Sequence, residues 1–377
     1  MPPTEGDTWL LVAGERSSDQ VGAALMRAMR SCRPIQLWVC GGQEMAKEAD
    51  RVLGYTVDVT SVGVIELWRG RGPMRQLLQH VEKTIQLGGI SRAIILDFPH
   101  YHHQFATVFQ RQGIPIDTVI TPHFWMWNDQ KRGRKLMAYS DRIVTIFERE
   151  TQWYTQLGAS PLYGGYPLLD AHTPLPPRPV WNASRQGRHI GLFPGSRPNE
   201  IRRLLPPALG IIRRMPEWVY HVVVPSEHEA LAQAIMAQQG VRVGPGSPVR
   251  SLGPEWQSLA LDAAVVATGT MSVELILHRI PIVVMGALHP VSYAIAKWVL
   301  RLPLPWIGLP NILAGRHWVP ELRQGGVTPP RLARAVSELL DPKAWEALQD
   351  AYDGFIAGLG TPPIVPPIAK VLLTHGE

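Results

Sequence analysis

Strand-like apolar runs alternate with helix-patterned segments along nearly all of the chain, and a Pro-rich polar stretch interrupts that alternation once before it restarts. Over 377 residues, this predicts an α/β fold of two parallel-sheet domains of similar size with a cleft between them. Trp9–Ala13 reads as a buried strand. Asp19–Arg30 reads as a helix that gathers Val21, Ala24, Leu25, Ala28 and Met29 on one face, and Ile35–Cys40 as a second strand. Met74, Leu77, Leu78, Val81 and Ile85 follow helical spacing, and strands are expected at Arg92–Leu96, Ile116–Ile120 and Arg142–Phe147. Residues 171–189 are rich in Pro and polar residues without periodicity, as a linker would be. The pattern then resumes with strand His189–Phe193, helix Glu200–Met215, strands Trp218–Val224 and Ala263–Ala267, helix Ser272–His278 and strand Ile282–Met285. The expected division is a first domain of 1–170, a linker of 171–189, a second domain of 190–345, and a helical tail of 346–377. That tail is expected to pack back on the first domain or on a partner subunit.

Composition narrows the class. Hydrophobic residues make up 45% and charged ones 18%, enough for a large core and against general disorder. The net charge is +6, and Trp, at 13, outnumbers Phe at 7 and Tyr at 9. A basic, Trp-rich chain fits a soluble enzyme with an anionic partner: nucleic acid, a phosphorylated metabolite or a membrane surface. Cys32 and Cys40 make neither a disulfide scaffold nor a structural zinc site, which sets a reducing cytosol as the default. Met1 to Thr8 has no cationic start and does not read as a signal peptide. The most apolar stretch, Ile280 to Leu313, is broken by His289, Lys297 and Arg301, so no transmembrane span is expected.

Ligands of open parallel sheets sit at the carboxyl ends of strands, against helix N-termini. Three turns are placed there. Gly14-Glu15-Arg16-Ser17-Ser18-Asp19 follows the first strand, with Ser17 and Gln20 fitting a capping box; it is not a dinucleotide fingerprint, and a plain helix start explains it equally well. Gly195-Ser196-Arg197-Pro198 suits an anion: Gly195 admits a close backbone approach and Arg197 can fork onto a phosphate, but the P-loop Lys is missing. In Gly269-Thr270-Met271-Ser272-Val273-Glu274 the hydroxyls and amides suit a diphosphate, and Glu274 can accept from a ribose diol or simply face solvent.

Asp97 ends an apolar strand and precedes Phe98-Pro99-His100-Tyr101-His102-His103, which makes it a candidate general base. The histidines do not complete a metal-ligand pattern, so no metal and no cofactor are expected. His123 follows another strand and is placed to face the same cleft. Two segments mix aromatics with cations: Trp125 to Lys135, with Lys131, Arg132 and Arg134, and Ile65 to Arg75. They read as anchors for an anionic bilayer or as core Trp beside solvated charge; no nucleic-acid module accompanies them.

The segments together closely resemble the lipid-A-disaccharide synthase family nearly end to end. The resemblance rests on Val12–Ala23, Gly41-Gly42 with Met45, Ser61–Trp68, Leu96-Asp97-Phe98-Pro99, Thr121–Trp127 with the following Gln130 and Lys131, Gly164–Asp170, Leu192–Pro206, Ala267–Glu274, Pro290–Leu300 and Leu309–Leu322. The most specific blocks are Pro194–Arg197 and Leu309–Leu322. The family implies a GT-B glycosyltransferase fold, two Rossmann-like domains with a central cleft. It also implies a metal-free, inverting transfer from UDP-2,3-diacylglucosamine to 2,3-diacylglucosamine 1-phosphate, at the cytoplasmic face of the inner membrane. Family members can dimerise through exchanged C-terminal segments. A divergent transferase with another acceptor, or a non-catalytic nucleotide- or lipid-binding homologue, is the alternative. A nucleotide-sugar epimerase shares the architecture but gives no reason for the Trp-and-Arg segments.

By motif, Asp97 takes the position of the family's essential aspartate. Gly195, Ser196, Arg197, Gly269, Thr270, Glu274, Asn311 and Glu321 fall on the UDP side, and Ser18, Asp19, His100 and His123 on the acceptor side. The chain departs from the family pattern at Ser18, usually Gly; at His100 and His102, usually an acid and Asn; and at His123, usually Ser. All these departures are expected on the acceptor side.

Overall fold

The computed structural model describes residues 8–56, 64–99, 101–177, 187–287 and 306–374, without the side chains of 64–71. Two compact units divide the chain: Met1–Thr173 with Gly358–Glu377, and Pro174–Ala357.

The first unit is a seven-stranded sheet in the order β3-β2-β1-β4-β5-β6-β7, every neighbouring pair parallel. Its strands are β1 Thr8–Ala13, β2 Gln36–Gly41, β3 Arg51–Tyr55, β4 Ile90–Leu96, β5 Ile116–Val119, β6 Arg142–Thr145 and β7 Leu162–Tyr163. The central strands are near-continuous apolar runs because helices cover both faces. All six residues of β1 are buried, while the edge strand β3 carries Arg51 and the exposed Val52 and Tyr55. Phe98, Phe105, Phe109 and Tyr154 form the bulk of the core with Leu10 and Val12.

One charge lies inside this sheet. Asp117 of β5 is fully buried and takes hydrogen bonds from Arg92 Nη1 at 3.1 and 3.2 Å, and from Arg142 Nε at 2.7 Å and Nη2 at 2.5 Å. Arg142 also donates to the carbonyls of Val371 and Leu372 in the helix Val365–Thr374, which packs along Arg16–Cys32.

The second unit is a six-stranded parallel sheet in the order β10-β9-β8-β11-β12-β13. Here β8 is His189–Phe193, β9 Val219–Val222, β10 Val249–Leu252, β11 Ala263–Ala267, β12 Ile282–Gly286 and β13 Glu321–Arg323. The helix expected to reach Met215 spans Pro198–Leu209. Pro206 and Pro207 withdraw two backbone donors near its end and Gly210 follows, so the chain continues in turns. The expected tail divides: the helix Pro342–Ala357 belongs to the second unit, and the chain from Gly358 to the first. Of the expected linker, residues 178–186 lie outside the described residues, as does Pro290–Leu300.

In each unit the strand order reverses once, at β1/β4 and at β8/β11. Register sets Ala13 beside Leu96, so Gly14 and Asp97 leave adjacent strands. It sets Val266 beside Phe193, so the turns 194–197 and 268–270 do the same. These are the topological switch points where ligands of doubly wound sheets bind.

Candidate active site

In the first unit, Gly14 lets the two switch-point turns meet. A Cβ there would stand 2.1 Å from Cδ2 of Phe98, the residue after Asp97. The helix that follows begins at Arg16, so Ser17 is already in its first turn and the capping pair is Glu15 with Ser18 rather than Ser17 with Gln20. The Glu15 N–H donates to Ser18 Oγ at 3.0 Å, and Ser18 Oγ donates to the Glu15 carbonyl at 2.8 Å. Asp19 accepts the backbone N–H groups of Gly42, Glu44 and Met45 at 2.7, 2.9 and 3.1 Å, which starts the helix Gln43–Glu48. Ser18 and Asp19 are buried; they build the turn rather than line it.

Asp97 stands at the carboxyl end of β4, 7% exposed. Its backbone lies at φ +29°, and its N–H donates to the Ile120 carbonyl at 2.9 Å; Ile120 itself lies at φ +62°. His123 is exposed. Crowding by the surrounding chain holds its imidazole below the usual histidine value, against the upward pull of Glu150 and Glu15. His100 lies outside the described residues. His102, expected on the acceptor side, turns into the core: its Nε2 is 3.3 Å from Thr118 Oγ1, its ring packs on Tyr139, and burial holds it neutral with a pKa near 3.

The sequence reading missed Glu150. This carboxylate, 1% exposed in the first turn of the helix Glu148–Gln156, accepts the N–H groups of Thr121, Ile146 and Phe147 at 3.2, 2.9 and 3.3 Å, and the Thr121 hydroxyl. Burial pushes its pKa up to about 7, against those donors and His123. Periodicity marks it as a solvent-facing helix residue; the one available signal is an acid in the first turn after an apolar strand.

Of the aromatic–cationic segment, Trp125 is core, against Phe147, which stacks on Tyr166. Trp127, Lys131, Arg132, Arg134 and Lys135 are exposed. The segment from Ile65 lies on the helix Val64–Gln86, with its side chains described only from Gly72 on.

In the second unit, Gly195 is at φ +111°, and a Cβ there would stand 2.4 Å from Glu200 Oε2. Pro198 is the first residue of its helix, and Arg197 precedes it with Nη1 3.7 Å from Glu200 Oε1. Ser196 and Arg197 are exposed, and so is Gly269, at φ +146°. Thr270 and Glu274 are half-buried, and burial lifts the Glu274 carboxyl to about 7. Asn311 is buried and bonded to its own chain. Its Nδ2 donates to the Val319 carbonyl and Glu321 Oε1 at 2.8 and 2.7 Å, and its Oδ1 accepts the N–H groups of Trp318 and Val319, both at 2.9 Å. Glu321 also accepts the N–H groups of Ile307 and Gly308 at 2.9 and 2.8 Å. Both side chains shape the segment 307–321. Among the described residues, no group of three or more His, Cys, Asp or Glu is placed to hold a metal.

The structure thus offers a carboxylate at one switch point and an exposed Arg with two Gly-bearing turns at the other. Two doubly wound units of this kind are the build of GT-B enzymes. The crystal structure of Methanocaldococcus jannaschii UDP-GlcNAc 2-epimerase in complex with UDP-GlcNAc and UDP is similar over 97% of this chain and 99% of that one, with a TM-score of 0.64 at 12% identity, a likeness of fold alone. Residues 9–356 match the family model of lipid-A-disaccharide synthetase. The lipid-A-disaccharide synthase of Anaeromyxobacter sp. (strain K) is 30% identical over 96% of this chain and 95% of its own length. That of Myxococcus xanthus (strain DK1622) is 31% identical over 89% and 88%. The chain belongs to the lipid-A-disaccharide synthase family: it is a hexosyltransferase that forms the lipid A disaccharide.

Proposed function

We propose that the protein transfers the sugar of UDP-2,3-diacylglucosamine to the 6-hydroxyl of 2,3-diacylglucosamine 1-phosphate with inversion, giving the β-1,6-linked disaccharide 1-phosphate and UDP. The observation that carries the reading is Asp97, a buried carboxylate at the carboxyl end of β4 and at a switch point, its backbone fixed by Ile120. Asp97 takes the hydroxyl proton as the oxygen attacks C1 of the donor; the C1–O bond to the diphosphate breaks, and UDP leaves with that electron pair. Arg197 and the backbone N–H groups that open the helix at Pro198 neutralise the leaving diphosphate, a part a metal plays in other transferases. Gly195, Ser196, Gly269 and Thr270 let the nucleotide's diphosphate approach the chain, and Glu274 accepts from the ribose diol.

No helix among the described residues is long and apolar enough to cross a membrane. The exposed Trp127 with Lys131, Arg132, Arg134 and Lys135 forms a local patch suited to an anionic leaflet, where each cation contributes about 1 kcal/mol. We place the enzyme there, on the cytoplasmic face of the inner membrane.

The test is UDP release from purified protein with both acyl sugars in detergent. Release that depends on Asp97 is expected; no release, or Asp97→Asn equal to wild type, overturns the reading. His123, an exposed ring where the family has Ser, favours a second reading in which the acceptor differs. Mass spectrometry of products formed from a lipid extract and UDP-sugars separates the two.

A further inference from the structure

Glu150 has no part in the chemistry above, yet its one carboxylate gathers four donors from the two loops that leave β5 and β6: the Thr121 N–H and hydroxyl, and the N–H groups of Ile146 and Phe147. The residue before Thr121 is Ile120, whose φ of +62° lies in the left-handed region that β-branched residues avoid. Such a conformation persists only where its surroundings hold it. Its carbonyl receives the N–H of Asp97 at 2.9 Å, and Asp97 is also left-handed, at φ +29°. The links therefore run from Glu150 to Thr121, to the Ile120 turn, and on to the peptide of Asp97.

We propose that Glu150 is a positioning residue: by clamping Thr121 it holds Ile120 left-handed and so fixes where the Asp97 carboxylate stands for the acceptor hydroxyl. The inference rests on the transferase reading, in which Asp97 is the base. At 1% exposure Glu150 is enclosed by its own chain rather than open to sugar or nucleotide. Its loss changes the placement of the base and leaves the nucleotide turns of the second unit as they are.

The test uses the full-length protein and Glu150→Gln, which keeps the size but presents donors where two of the four groups need an acceptor. Amide hydrogen exchange at Asp97 is expected to rise at least about tenfold, kcat to fall about ten- to a hundredfold, and KM for the UDP-sugar and UDP affinity to stay within twofold of wild type. Thr121→Val, which loses only the hydroxyl link, is expected to give a smaller loss of the same kind, and Thr121→Ser to restore wild-type rate. If Glu150→Gln does not fold, Thr121→Val carries the decision. Unchanged exchange at Asp97, or raised exchange with kcat within twofold of an active wild type, overturns the proposal. A wild type that releases no UDP counts against the transferase reading instead, while the exchange data still judge the clamp.

Discussion

The two units end their sheets alike and fill their switch points differently. In the second unit the turns 194–197 and 268–270 carry Gly195 and Gly269 at positive φ, and Ser196, Arg197, Thr268 and Gly269 are exposed. In the first, Gly14 is pressed on Phe98, Asp19 holds three N–H groups, Asp97 is tied to Ile120, and Glu150 draws in four donors. The difference matches two tasks. A turn that receives a charged, diffusing nucleotide has to be reachable from solvent. A turn that carries a general base needs that base already placed, because misplacement by about 1 Å can cost on the order of a hundredfold in rate.

The sharpest way to break this contrast is Asp97→Asn. Loss of the proposed base is expected to lower kcat by about a hundred- to ten-thousandfold, with UDP affinity unchanged by calorimetry. A matching loss of UDP affinity would mean that the first unit also serves the nucleotide, and the division of labour would fall.

Next comes the ion cluster beneath the rigid site. In Asp117→Ala, Arg92 and Arg142 remain, largely buried and without the carboxylate that balances both. Removing one partner of a buried pair costs about 3–5 kcal/mol. Since Arg142 also holds the carbonyls of Val371 and Leu372, hydrogen exchange in Val365–Thr374 should accelerate while the sheet of the second unit keeps its protection. Uniform acceleration in both units would refute the localised effect.

A smaller loss is expected from Arg197→Ala in the second unit: about ten- to a hundredfold in UDP affinity, the range of one charge-assisted hydrogen bond. The melting temperature should hold, because the guanidinium is exposed and an ion pair at the surface, such as that with Glu200, contributes little. A lowered melting point with unaltered affinity would recast Arg197 as structural.

How far these residues are legible in the chain depends on where their partners lie. His189–Phe193 and Ala263–Ala267 can be read off as strands to the residue because each is a bounded apolar run. Asp97 is readable as a site candidate because a polar residue directly after such a run lands on the carboxyl edge of a sheet, and Arg197 because it closes the Pro-Gly-Ser turn that follows another such run. Asp19 is readable as a candidate but its task is not, since its backbone partners lie 23 to 26 residues away. Glu150 is not readable, because its local partners Ile146 and Phe147 look like an ordinary helix start and Thr121, 29 residues away, is unmarked. Asn311 and Glu321 stand in a recognisable block, but a block does not say whether a side chain faces a ligand or its own backbone. His102 looks like a site histidine by position and is a core residue by geometry, because Thr118 and Tyr139 complete its surroundings from β5 and from the turn before β6.

The smallest effect concerns Glu274, a half-buried carboxylate at the second unit's switch point. Burial raises its pKa to about 7 from its ordinary value of 4.5. The folded protein therefore holds a proton between those values that the unfolded chain has released. Stability consequently falls as pH rises through that window and levels off above it. Nucleotide binding should run the other way, because only the carboxylate accepts both hydroxyls of a ribose diol. UDP affinity is expected to be about tenfold weaker at pH 6 than at pH 8, the protonated fraction having to release its proton, and Glu274→Gln should flatten the profile at the weaker level. A profile of wild type that is flat between these pH values, or that slopes the other way, would remove Glu274 from the ribose and leave it a half-buried acid of the Met271–Leu277 helix.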